Sequence, residues 1–106
     1  QLRGMIRGAH VSDDETRKTI AAVHGEHAYF LDPHGAVGWR AVDTLRATPA
    51  EGPLAVLATA HPAKFAETVE PLTGPVPVPS SIQAALSRVV QTRTIPAELS
   101  ALVDAL

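Results

Sequence analysis

A chain of 106 residues is one domain at most, and with 4% aromatic content its core has to be built from Ala, Val, Leu and Ile. The net charge of -2, with both signs interspersed, offers no basic patch for nucleic acid or an anionic membrane. The absence of cysteine excludes a disulfide framework, a thiolate zinc site and a cysteine nucleophile, and no run approaches the roughly 20 apolar residues of a membrane span. The first seven residues, Gln1-Leu2-Arg3-Gly4-Met5-Ile6-Arg7, lack the apolar centre of a signal peptide, and a start without Met reads as an internal one. The absence of cysteine fits a cytoplasmic protein.

Ser12-Asp13-Asp14-Glu15 reads as a capping box, with Asp13 and Asp14 suited to the positive end of a helix dipole. Thr16, Ile20, Val23 and His27 then fall on one helical face, which predicts a first helix over 12–27, with Gly25 fraying its last turn. Tyr29-Phe30-Leu31 reads as a short buried connection. Asp32 as N-cap and Pro33 at the first helical position open a second helix, carried to about residue 46 by Ala41, Val42 and Leu45. Residues 48–53 form a loop. Leu54–Ala58 is apolar on both faces, the pattern of a buried central parallel strand.

His61-Pro62 opens a third helix through Phe65 and Val69 to about Leu72. The Pro-rich stretch 71–80, with Gly74-Pro75-Val76-Pro77-Val78-Pro79 at its centre, reads as an extended surface connector. Ser80 with Gln83 is a second capping box, for a helix that turns Ile82, Leu86, Val89 and Val90 inward. Thr92–Ile95 reads as a brief strand, and Pro96 starts a terminal helix with Leu99, Leu102, Val103 and Leu106 on one face. A single strand has no ladder partner in this pattern, which places its partners upstream of Gln1.

Few residues here can carry chemistry. Thr59, at the carboxyl end of the strand, places a hydroxyl where α/β proteins bind ligands; on position alone, satisfaction of a local backbone group explains it as well. His61 and Lys64 follow in the same stretch, His61 suited to orienting a phosphate or a backbone group, Lys64 to a carboxylate or a substrate phosphate. Helix-end packing and a solvated amine are the ordinary alternatives for both. His24, His27 and His34, with Glu26 and Asp32, match no metal-ligand spacing. Gly35 and Gly38 suit close helix packing rather than a phosphate loop, and Ser12 and Ser80 are caps rather than nucleophiles.

Two stretches, Leu31-Asp32-Pro33-His34-Gly35-Ala36-Val37-Gly38 and Thr59-Ala60-His61-Pro62-Ala63-Lys64-Phe65, together resemble the C-terminal part of threonine synthase, a fold-type-II pyridoxal-phosphate enzyme. The likeness runs from about Val11 to Phe65 and more loosely to Leu106, with Gly35 where the family commonly has Thr. It implies an α/β fold in which residues 1–106 form a single partial domain, the C-terminal part of the large domain, mostly helices around one buried parallel strand. It implies conversion of O-phospho-L-homoserine and water to L-threonine and phosphate, with pyridoxal 5'-phosphate as cofactor. It places Thr59 against the pyridine nitrogen of that cofactor, where a neutral hydroxyl does not hold the nitrogen protonated and leaves a milder electron sink. The family's Schiff-base lysine lies upstream of the matched region. Neither Lys18 nor Lys64 stands in its place, so the segment alone is expected to be inactive, with no catalytic residue of its own. The competing reading is a stand-alone helical interaction module derived from the enzyme, in which residues 54–58 are buried by the chain's own helices or converted to helix. A metal-binding protein is a distant third.

Overall fold

The computed structural model describes residues 6–45 and 53–105, and the description that follows is of these residues. The expected loop, but for Pro53, and the inward position of Leu106 lie outside them.

Helix α1, Asp13–His27, starts as its sequence dictates. The Glu15 N–H donates to Ser12 Oγ at 3.4 Å, and the Ser12 N–H donates to Glu15 Oε2 at 3.0 Å. Two amides that the helix itself cannot satisfy are thereby paired. The buried hydroxyls of Thr16 and Thr19 donate back to the carbonyls of Ser12 and Glu15, so this half-polar face costs no unpaired group. Gly25 does not fray the end: the helix runs to His27 and closes on Ala28, left-handed at φ 52°, whose N–H donates to His24 O.

Helix α2, Pro33–Leu45, opens on Asp32, whose carboxylate accepts from the His34 N–H at 3.0 Å. A short 3-10 turn, Pro62–Phe65, leads into α3, Ala66–Thr73, which ends at Gly74 with φ +82°. Helix α1 packs on both α2 and α3. The core at their junction consists of Ile20, Val23, Leu31, Ala36, Val69 and Val76, with Phe30, Ala63, Phe65 and Leu72 packed around it. Of the connection 29–31 only Leu31 is buried; Tyr29 faces solvent.

The expected buried parallel strand is not found: among the described residues there is no strand, and the chain is mostly helical. Residues 54–58 form neither helix nor strand, no backbone hydrogen bond reaches them from the described residues, and Leu57 is 82% exposed. A β-ladder is a non-local structure, and an apolar segment cannot make one without a neighbour. The segment still crosses α2 closely. A Cβ on Gly38 would stand 3.0 Å from Val56 Cγ1, so the small residue admits the crossing.

The C-terminal region departs further. Helix α4, Ser80–Leu86, has Pro79 as its N-cap and no side-chain cap bond, so Ser80 is the first helical residue and the expected Ser80–Gln83 box is absent. Leu86, Val89 and Val90 face solvent instead of a core. Thr92–Ile95 forms no strand. Helix α5, Leu99–Val103, starts three residues after Pro96 and exposes Leu99, Leu102 and Val103. Only residues 74–79 of the Pro-rich stretch lie between helices, since Pro71 is within α3 and Ser80 begins α4. The Cα radius of gyration, 18.6 Å, exceeds the roughly 13 Å of a compact chain this long.

Candidate functional site

The apolar segment ends at Thr59, and the chain then turns sharply. His61 is the N-cap of the 3-10 turn, with Pro62 in its first positions, and the Ala63 N–H donates to His61 Nδ1 at 3.2 Å. Nδ1 is thereby an acceptor, which leaves the proton of the neutral ring on Nε2. The orienting role open to His61 is thus directed to a backbone group of its own turn. Thr59, His61 and Lys64 all face one open cleft of about 720 Å³. Its other walls are Tyr29 and Phe30, from the α1–α2 connection, and Val76 and Pro77, from the connector after α3.

Among the described residues, no carboxylate lines this cleft. Its polar groups are the Thr59 hydroxyl, the Tyr29 phenol, the His61 ring and the Lys64 ammonium, the last exposed and without an ion pair among the described residues. A weakly basic ring nitrogen placed at Thr59 meets a neutral hydroxyl, which can donate to it but cannot stabilise a positive charge there as a carboxylate does.

Asp32 and His34 stand apart from the cleft. Asp32 is only 2% exposed, and His34 Nδ1 lies 2.8 Å from its Oδ1 while the His34 ring packs edge-on to Phe65. A Cβ on Gly35 would come within 3.1 Å of Asp32 Oδ2 and 3.2 Å of Leu31 Cδ2, so a larger residue at 35 would press directly on the capping carboxylate. The remaining histidines of α1 are also occupied by packing: His24 stacks on Phe30 at 4.5 Å and His27 on Trp39 at 5.8 Å between ring centroids. Among the described residues no three His, Cys, Asp or Glu side chains gather where they could hold a metal ion.

The family described as "Threonine synthase, C-terminal" matches residues 35–105, a span that includes the whole stretch from Thr59 to Lys64. The chain belongs to this family. It is similar to threonine synthase of Pseudomonas aeruginosa, 41% identical over 70 residues, which is 66% of this chain and 15% of that protein. Threonine synthases of Serratia marcescens and Escherichia coli are each 36% identical over 96 residues, 89% of this chain and 21% and 22% of theirs. The chain is a threonine synthase C-terminal segment and spans about a fifth of the length of these relatives. No solved structure matches it. No helix among the described residues is long and apolar enough to cross a membrane.

Thr59, His61 and Lys64 were visible in the sequence, but the wall formed by Val76 and Pro77 was not. That wall is held by a bond from the Val76 N–H to Glu70 Oε1, 3.1 Å long and spanning six residues. The signal that could have found it was proline spacing: with Pro75, Pro77 and Pro79 lacking N–H groups, Val76 and Val78 are the only donors of residues 75–79.

Proposed function

We propose that this chain is the C-terminal part of a cytoplasmic, pyridoxal-phosphate-dependent threonine synthase. The parent enzyme, a phosphate-eliminating lyase, converts O-phospho-L-homoserine and water to L-threonine and phosphate. The observation that carries the proposal is the position of Thr59: it ends an apolar segment that no backbone hydrogen bond reaches from the described residues, and it faces an open cleft without carboxylates among those residues.

The residues fit one end of the cofactor. When bound, pyridoxal phosphate supplies an electron sink that stabilises negative charge developing on substrate carbons. The Thr59 hydroxyl would hold the ring nitrogen of the cofactor by donating a hydrogen bond, and as a neutral group it would leave that nitrogen uncharged. Tyr29 and Phe30 form an aromatic wall of the cleft. His61 keeps the turn after Thr59 in register through its bond to the Ala63 N–H. The Lys64 ammonium, at the rim, attracts the phosphate of the substrate.

The exposure of Leu57 favours this reading over a self-contained interaction module, which calls for residues 54–58 to be covered by the chain's own helices or helical themselves. With only Lys18 and Lys64, the segment alone lacks an amine placed to hold the cofactor, and it is expected to bind pyridoxal phosphate weakly and to turn nothing over. The test is phosphate release from O-phospho-L-homoserine by a threonine synthase polypeptide carrying this segment, beside the 106-residue chain. Phosphate and threonine from the longer polypeptide alone support the proposal. Micromolar cofactor binding by the short chain contradicts it.

A further inference from the structure

We infer that Glu70 is a positioning residue for the cleft at Thr59, acting through the backbone of Val76; the inference rests on the cofactor reading above. The connector Pro75-Val76-Pro77-Val78-Pro79 has only two backbone N–H donors. One of them, on Val76, donates to the Glu70 carboxylate at 3.1 Å. A charged acceptor makes this a strong bond for a neutral donor.

The bond fixes direction as well as distance. Helix α3 closes with the Gly74 N–H donating to Glu70 O, and Thr73 Oγ1 donates to Val69 O and Gly74 O. Gly74, at φ +82°, then turns the chain back toward the helix. Glu70 thus meets the chain twice, its carbonyl at the helix end and its carboxylate on the returning backbone. Val76 is seated in the core at 5% exposure, and Val76 and Pro77 line the same cleft as Thr59. Without the carboxylate the connector keeps its prolines and its extended shape, but it loses the bond that specifies where it lies, and the cleft loses a defined width. Glu70 itself is exposed and does not line the cleft, so its effect on a ligand passes through Val76.

Two readouts test this. In the 106-residue chain, the Val76 amide should be protected from hydrogen exchange by its bond to Glu70. Glu70→Gln, which keeps an acceptor, should leave the amide protected, and Glu70→Met, a good helix former without an acceptor of comparable strength, should expose it. In the threonine synthase polypeptide carrying the segment, Glu70→Met should weaken pyridoxal phosphate binding about three- to tenfold, with Glu70→Gln near the parent value. Thr59→Ala, measured alongside, tests the cofactor reading itself. If Thr59→Ala weakens binding and Glu70→Met does not, positioning by Glu70 is overturned and the cofactor reading stands. If neither weakens it, the cofactor reading fails and the inference falls with it. A Val76 amide equally protected in the parent and in Glu70→Met overturns the anchor directly.

Discussion

The two halves of this chain carry similar apolar stripes and meet opposite fates. In α1, Ile20 and Val23 are buried between α2 and α3; in and after α4, Leu86, Val89 and Val90 point into solvent, as do Leu99 and Val103 of α5. The patterns are equally periodic. The difference is whether a second apolar surface stands within reach: α1 touches two helices, whereas neither α4 nor α5 is among the closely packed helix pairs. Amphipathicity thus states a demand for a partner and does not supply one.

The largest effect should separate the halves by core truncation. Ile20→Ala is expected to cost about 3 kcal/mol of unfolding free energy in urea titration, and Leu86→Ala less than about 0.5 kcal/mol. Equal costs would mean that the tail packs after all. The next contrast concerns the caps. Ser12→Ala should cost about 1 kcal/mol, since Ser12 Oγ accepts a helix N–H, while Ser80→Ala should change stability by no more than a few tenths of a kcal/mol. Native-state amide exchange sharpens the same contrast, with the amides of Ile20 and Val23 slow and those of 89–94 near the unstructured rate.

A smaller effect is pH-dependent. Hydrogen bonds from Ser12 hold the Glu15 carboxyl below its ordinary value of 4.5, helped by Arg40, whose guanidinium lies 3.6 Å away. Because the folded chain binds this proton less readily than the unfolded chain, the contribution is present above the ordinary value and fades as pH falls through the folded one. Urea midpoints followed from neutral pH down through the carboxylate range should therefore fall less steeply in Glu15→Gln than in the parent. Identical slopes would show that the capping box does not feel the proton.

What was legible in the sequence follows from how local each feature is. Ser12, Glu15, Asp32 and Pro33 set helix starts through bonds spanning two or three residues, and α1 and α2 begin where those residues place them. Ser80 and Gln83 have the same spacing but no box, because extended Pro79, at φ -60° and ψ 148°, occupies the capping position. The strand at 54–58 was the least legible element, since apolar composition does not reveal whether a ladder partner is present. Thr59, His61 and Lys64 were legible as one stretch and do share a cleft. Val76 was read only as part of a surface connector, although Glu70 draws it into the core.

The central claim, that Thr59 presents a neutral hydroxyl to the pyridine nitrogen of pyridoxal phosphate, is tested most directly by the nitrogen resonance of ring-labelled cofactor bound to the threonine synthase polypeptide. The expected shift is that of an unprotonated pyridine nitrogen in the parent and in Thr59→Ser, moving to that of a protonated nitrogen in Thr59→Asp. A protonated nitrogen in the parent, or a resonance that ignores Thr59→Asp, would contradict it.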